Sequence, residues 1–281
     1  MNGRQTFGAP GRVREVTSLA NPLVKEIKAL QLKKHRDEQH AFVAEGLKLV
    51  IDALDLGWSI RTLVFAKSAL GNPSVEKTAA RTVASGGNVL EVPERILTAI
   101  TRRDNPQAVL GVFTQRFMPL QDIHAADRDL WVALDRVRDP GNLGTIIRTV
   151  DAAGARGVIL VGEATDPFSL ETVRATMGSV FAVPIAKASQ DAFLVWRKNF
   201  KGLVAGTHLE GTTDYRAVEF GNGPVLLMMG NEQQGLPEAL ARSCDALIRI
   251  PQAGRADSLN LAVATGIMLY EIRRNALPGA T

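Results

Sequence analysis

Leu130-Trp-Val-Ala-Leu-Asp-Arg-Val-Arg-Asp-Pro-Gly-Asn-Leu-Gly-Thr-Ile-Ile-Arg-Thr-Val-Asp-Ala-Ala-Gly154 reads as an apolar strand, a turn at Pro140-Gly141 and a helix. Asn142 stands where an N-cap belongs, and Gly154 stands where a helix ends. On a helical wheel Leu143, Ile146, Ile147, Val150 and Gly154 form one stripe, which a core would cover. Arg148 projects off that stripe on the Gly144 side, so it is free to face a site or solvent. Downstream the same alternation continues, with strand-like runs at 158–161, 181–185, 203–205, 225–229 and 247–250 and helical segments between most of them. Apolar strands alternating with helices predict an α/β fold, a mostly parallel sheet with helices on both faces. In such sheets ligands gather in the loops beyond the carboxyl ends of the strands.

Upstream the pattern is that of a separate, smaller α/β domain over 16–116, with strand-like runs at 41–44, 59–65, 89–92 and 109–113. Residues 1–15, rich in Gly and Arg, read as an arm, and 117–128, with Pro119 and no sustained period, as a linker to a second domain at 129–281. From Asn21 a helical pattern buries Leu23, Ile27 and Leu30 and leaves Lys25, Lys28, Lys33, Lys34 and Arg36 on other faces. This most basic stretch makes Lys25, Lys33, Lys34 and Arg36 the candidate contacts to a polyanionic partner.

The chain has 281 residues, of which 46% are hydrophobic and 22% charged, a balance that supports two folded domains and excludes a disordered chain. A net charge of +4 suits a polyanionic partner without requiring one. With one cysteine, Cys244, and four histidines at unrelated spacings, neither an internal disulfide nor a metal site is expected. The sequence has neither an apolar run long enough to span a bilayer nor a signal-peptide core, so the cytoplasm is the expected compartment.

Two more loops can carry chemistry. Met229-Gly-Asn-Glu-Gln-Gln-Gly-Leu-Pro237 follows the strand at 225–229 with the glycine spacing of a phosphate loop. Leu236 occupies the place of the lysine such a loop needs, which excludes a P-loop nucleotidase. A glycine-bracketed turn still lets backbone groups approach a ligand closely, and Glu232 adds an acceptor. Ile250-Pro-Gln-Ala-Gly-Arg-Ala-Asp-Ser-Leu-Asn260 leads into an almost wholly apolar helix over 261–272. Ser258 or Asp257 can cap that helix, and its apolarity predicts burial in a core or a subunit interface. Asn260 interrupts the first turn and needs a partner.

In order and spacing the three loops resemble the signature motifs of the SPOUT superfamily, in its SpoU (TrmH-type) branch of RNA ribose 2'-O-methyltransferases. Asp139-Pro-Gly-Asn-Leu-Gly with Arg148 is similar to motif one, Gly230-Asn-Glu with Gly235-Leu to motif two, and Ile250-Pro with Ser258-Leu-Asn to motif three. Arg174-Ala-Thr-Met-Gly-Ser179 is similar to a further family stretch. Asn21-Pro-Leu-Val-Lys25 and Phe42-Val-Ala-Glu-Gly46 resemble, more loosely, the ribosomal-protein-like substrate-binding domain that precedes this catalytic domain. Gln252 and Ala256-Asp257 depart from the commoner pattern. The resemblance implies a trefoil knot, a homodimer and S-adenosyl-L-methionine bound by the knotted loops. It implies a donor site at Thr207, His208, Leu209, Gly230, Asn231, Gly235, Ile250 and Leu259, and a catalytic set of Arg148, Asn142, Glu232, Ser258 and Asn260.

Methyl transfer from a sulfonium to an alcohol needs the oxygen aligned behind the methyl and helped to lose its proton. Arg148 can serve by accepting that proton or by stabilising the forming alkoxide and adjacent phosphate, and the sequence leaves both open. The substrate expected from the resemblance is RNA, ribosomal ahead of transfer RNA. Two other readings compete: an RNA-binding or ribosome-assembly protein that keeps the fold without catalysis, and an enzyme that methylates a base. Intact Arg148, Glu232 and Asn260 argue against the first, and motif one with Asn142 and Arg148 against the second. Residues 129–281 alone are expected to bind the donor as a homodimer.

Overall fold

The computed structural model describes residues 11–277, so most of the arm expected at the N-terminus lies outside the described residues. Two compact units emerge: one runs to Gln115 and also takes Phe168–Arg174, the other holds Arg116–Pro167 and the chain from Ala175 onward. Each has its own sheet and core.

In the first unit the strands β1 (Val13–Glu15), β2 (Ala41–Glu45), β3 (Ile60–Ala66), β4 (Asn88–Val92) and β5 (Val109–Thr114) form one mixed sheet. Its order is β1-β4-β3-β5-β2, parallel from β1 to β3 and antiparallel at β5. Helices α1 (Pro22–Ala29), α2 (Lys33–Gln39), α3 (Leu47–Asp55), α4 (Pro73–Ala84) and α5 (Glu94–Thr101) cover it. Val24 and Ile27 of α1 and Ile96, Leu97 and Ile100 of α5 close over Val64, Leu90 and Leu110 of the sheet. Val13–Glu15 depart from the arm reading: they pair in parallel with Val89–Glu91 and add an edge strand. A three-residue exposed strand has no alternation to betray it.

The basic helical stretch is two helices. Asn21 caps α1 by accepting from the Leu23 amide, and Pro22 opens its first turn. The chain breaks at Leu30–Leu32 and restarts as α2. Arg36 is a correction to the RNA-binding set. It is 4% exposed and its Nη1 donates to the Leu30 carbonyl at 2.7 Å, so it ties the two helices together rather than facing solvent. A guanidinium buried with its hydrogen bond made is structural. Lys33 and Lys34 stay on the surface in i,i+4 pairs with Asp37 and Glu38, and such pairs are weak enough for a phosphate to replace the carboxylate. Lys25 is exposed and pairs with no acidic group among the described residues.

The excursion at Phe168–Arg174 carries no periodicity that marks it, although its last residue opens the family-like stretch Arg174–Ser179. Phe168 is buried with its ring 4.5 Å from that of Phe42 and 6.4 Å from that of Trp58. Arg174 donates from Nε and Nη2 to Glu45 Oε2 at 3.1 and 2.9 Å and from Nη2 to the Thr101 carbonyl at 2.6 Å. The Glu45 carboxylate is almost wholly buried and also accepts from the Gln107 amide, so these bonds replace its water. Phe168→Ala is therefore expected to cost the first unit about 3–5 kcal/mol, the usual loss for deleting a buried phenyl ring. Urea denaturation followed by tryptophan fluorescence checks this, and a loss under about 1 kcal/mol would mean the segment only rests there. A fragment of 129–281 carries Phe168 and Arg174 without these partners, so the whole chain is the proper object for binding tests.

The second unit is a seven-stranded sheet built from β6 (Leu130–Asp135), β7 (Gly157–Val161), β8 (Ile185–Ala188), β9 (Leu203–Thr207), β10 (Thr213–Asp214), β11 (Val225–Met229) and β12 (Ala246–Arg249). The order is β10-β12-β9-β11-β6-β7-β8 and every pairing is parallel. Alternate residues divide between two faces. Trp131, Ala133, Ile159, Leu226 and Met228 pack with Phe193 of α8 (Gln190–Arg197), Phe200 and Leu240 of α9 (Glu238–Ala241). The other face carries α6 (Pro140–Ala152) and α10 (Leu261–Arg273), with Gly266 of α10 against Thr149 of α6. Gly154 ends α6 at φ +64°, as its position predicted.

Two local expectations change. The run 181–185 splits into a 3₁₀ turn, Ser179–Phe181, and the start of β8 at Ile185, because Pro184 intervenes. The segment 117–128 packs on the second unit: Met118 bridges to Ala186, and Ile123 is buried in the Trp131 cluster. After α7 (Leu170–Ala175), Ser179 Oγ donates to Asp151 Oδ2 at 2.6 Å, which fastens the 176–179 turn to α6.

Candidate active site

All parallel strands of the second unit present their carboxyl ends to one edge of the sheet, and β12, β9, β11 and β6 stand side by side there. The loops that follow them converge. After β6 the chain turns at Arg136, which has φ +45°, and enters α6 at Pro140. Asp139, not Asn142, is the N-cap: its Oδ1 accepts from the Asn142 amide at 2.6 Å. Proline at the first helical position makes the preceding residue the natural cap. The side chain of Asn142 is thereby released from capping, and it links the loops. Its Nδ2 donates to Glu232 Oε1 at 3.4 Å, and its Oδ1 accepts from Asn260 Nδ2 at 2.9 Å.

The loop after β11 is folded on itself. Asn231 and Gly235 exchange backbone hydrogen bonds at 3.1 and 2.9 Å, and Gly235 takes φ +65°. Gly230 leaves no room for a side chain, since a Cβ there would lie 2.3 Å from Gly235 C and Leu236 N. Asn231 is 5% exposed. Its Nδ2 donates to the Arg136 carbonyl at 2.8 Å while its Oδ1 accepts from the Gln233 and Gln234 amides. Glu232 Oε1 faces the Arg138 and Asp139 amides at 3.4 and 3.5 Å, long contacts that leave the carboxylate free to take better donors.

Asn260 proves to be the cap of α10, accepting from the Ala262 and Val263 amides at 2.9 and 3.2 Å. This corrects the assignment of that role to Ser258 or Asp257 and explains the polar interruption of an apolar helix. One amide thus caps α10 through Oδ1 and reaches Asn142 through Nδ2. Ser258 is exposed and makes no hydrogen bond among the described residues.

A cleft of about 430 Å³ opens among the loops after β9, β11 and β12. Thr207, His208, Leu209, Gly230, Asn231, Gly235, Ile250 and Leu259 all line it, together with Glu232 and Ser258. Asn142, Asn260 and Arg148 lie outside that lining. Asn142 reaches Glu232 at its edge, and Asn260 reaches Asn142. Arg148 stands apart on α6, exposed and without a hydrogen bond or ion pair among the described residues. Outside that lining, Cys244 packs against Gly206 of β9, and burial pushes its thiol pKa up to about 12.

Residues 129–270 match the SpoU rRNA Methylase family and residues 21–111 the MRM3-like substrate binding domain. The chain belongs to the SpoU rRNA Methylase family. A Bacillus subtilis relative, the 23S rRNA (guanosine(2553)-2'-O)-methyltransferase RlmP, is 32% identical over 93% of this chain and 100% of its own. The Streptomyces viridochromogenes 23S rRNA (uridine(2479)-2'-O)-methyltransferase is 31% identical over 89% of this chain and 88% of its own. Among solved structures, the AdoMet-bound rRNA methyltransferase from Sinorhizobium meliloti is 65% identical, with a TM-score of 0.91 over 95% of this chain and 99% of that one. For a SpoU methylase the cleft has a fitting shape. Glycine at 230 lets the loop after β11 fold tightly at the cleft, and the volume suits a ligand of nucleoside size.

Proposed function

We infer that this chain transfers a methyl group from S-adenosyl-L-methionine to a ribose 2'-hydroxyl of ribosomal RNA. The observation that carries this reading is the cleft of nucleoside size with the loops after β12, β6 and β11 converging beside it, where Asn260 Nδ2 donates to Asn142 Oδ1 at 2.9 Å and Asn142 Nδ2 faces Glu232 Oε1 at 3.4 Å. When bound, the donor supplies an activated methyl on a sulfonium. The chain's own part is positioning. Backbone at Gly230, Ile250 and Leu259 holds the donor, Asn260 steadies Asn142, which faces Glu232, and Ser258 and Glu232 order the groups around the reacting hydroxyl. Arg148, with its guanidinium uncommitted, serves the target hydroxyl and its phosphate. A protonated guanidinium stabilises a forming alkoxide directly, whereas proton acceptance requires it to lose its charge first.

Lys25, Lys33 and Lys34 of the first unit support capture of the RNA backbone, with Arg36 removed from that set. The apolar helix α10 supports a homodimer: Val263 and Tyr270, one heptad apart, are 52% and 48% exposed, a stripe that a second copy would cover. By family resemblance the sheet is knotted, its C-terminal segment threading through a loop. No helix of the described residues is long and apolar enough to cross a membrane, and ribosomal RNA as substrate agrees with a cytoplasmic compartment. The test is to map ribose 2'-O-methylation in total RNA from cells with and without the gene, with the purified chain checked for dimerisation by light scattering. Loss of one ribosomal mark, restored by the purified chain and donor in vitro, is the expected result. An unchanged map would leave the non-catalytic RNA-binding reading standing.

A further inference from the structure

Behind the cleft, Asp135 and Arg136 form an ion pair that has no role in the scheme above. Arg136 Nε donates to Asp135 Oδ2 at 2.9 Å and lies 3.2 Å from Oδ1, while Nη2 meets Oδ2 at 2.9 Å. The Asp135 side chain is 2% exposed, and the stem of Arg136 rests over Gly162, where a Cβ would come within 3.0 Å of Arg136 Cγ. An ion pair between sequence neighbours cross-links nothing that the chain does not already join, so it adds little to the fold. What it does is fix the direction of the guanidinium. The nitrogen left over, Nη1, donates to Gln234 Oε1 at 3.0 Å, across 98 positions of sequence. The carbonyl of the same residue accepts Asn231 Nδ2 at 2.8 Å. One residue in an unfavourable left-handed conformation, φ +45°, therefore grips both ends of the Asn231–Gln234 segment, with Glu232 between them.

We propose that Arg136 is a positioning residue for the donor: clamped by Asp135, it holds the loop of Glu232 and Gln234 in the shape that the methyl donor meets. The inference rests on the donor-binding reading of the cleft. It predicts that the grip costs nothing to maintain once the donor arrives, because the loop is ordered in advance.

The experiment is calorimetry with S-adenosylmethionine on the full chain, followed by donor and RNA saturation curves. Gln234→Leu leaves the buried Asp135–Arg136 pair intact, so it tests the grip without stranding a carboxylate. It is expected to raise the donor Kd and donor KM about tenfold, with the RNA KM and the melting temperature of the free protein unchanged. Gln234→Glu keeps an acceptor for Nη1 and is expected to bind donor within about threefold of the wild type. Arg136→Met, paired with Asp135→Asn to avoid an unpaired charge, should give the same loss as Gln234→Leu. Combining all three changes should add nothing further, since both sides of one contact are removed. Additive losses would mean that Gln234 touches the donor by itself and would overturn the proposal, as would unchanged donor affinity in Gln234→Leu. A wild-type chain that binds no donor would overturn the donor-binding reading instead.

Discussion

Arg148→Ala is expected to lower methyl transfer by roughly two or more orders of magnitude while leaving donor affinity and fold unchanged. The fold should survive because the side chain is exposed and makes no hydrogen bond or ion pair among the described residues; the helix is held by Leu143, Ile146, Ile147 and Val150 on its other side. Donor binding should survive because Arg148 is not among the residues that line the cleft. Transfer should fall because an uncommitted guanidinium acts on charge that develops at the reacting oxygen, whether it accepts the proton or stabilises the alkoxide. Arg148→Lys should not restore activity, since a point charge cannot reproduce the planar fork that holds a phosphate and a hydroxyl together. Single-turnover methylation at saturating RNA and donor, with calorimetry alongside, separates the outcomes. Near wild-type transfer would remove Arg148 from the mechanism, and loss of donor binding would make it part of the cofactor site.

That expectation was available from the sequence because the stripe Leu143, Ile146, Ile147, Val150 is periodic and one-sided, so burial follows from geometry alone. The strands of the second unit were legible for the same reason: fully buried parallel strands are uniformly apolar, as in Leu130–Asp135 and Val225–Met229. Where reading failed, the deciding interaction was long-range or lay in a single side chain. Arg36 looks like any surface arginine until the break at Leu30–Leu32 folds α2 back onto the Leu30 carbonyl. Phe168 and Arg174 show no pattern, since their partners Phe42 and Glu45 lie more than 120 positions away. The caps were misplaced by a few residues in both site helices because Asp139 and Asn142, or Ser258 and Asn260, are equally good capping types. The structure decides between them, and the difference matters to the chemistry. Taking Asp139 as the cap frees Asn142 to meet Glu232. Taking Asn260 as the cap makes the start of α10 part of the same hydrogen-bonded chain.

Gly230→Ala should disable donor binding more completely than any change to a cleft side chain, because it acts on the backbone that shapes the cleft. The added methyl would stand 2.3 Å from both Gly235 C and Leu236 N and 2.8 Å from Gly235 Cα, all backbone atoms that no rotamer change can move aside. The turn between Asn231 and Gly235 must then open, which breaks the paired hydrogen bonds between those residues. Opening also pulls Asn231 away from the Arg136 carbonyl, and with it the segment that carries Glu232. Forcing a methyl into a packed site costs about 1–3 kcal/mol. If the native loop is needed to hold the donor, that cost appears as roughly a tenfold to hundredfold rise in donor Kd. The β11 strand before the loop ends at Met229 and the sheet does not depend on the turn, so the melting temperature should fall by only a few degrees. Gly235→Ala is the companion variant: nothing lies within 4 Å of its would-be Cβ, and only its φ of +65° opposes a side chain. Its penalty should be the smaller, about 1 kcal/mol or somewhat more. Calorimetric donor titration of the two variants therefore ranks steric exclusion against backbone conformation. Equal or greater loss in Gly235→Ala would show that the close approach at Gly230 is not what keeps the cleft open.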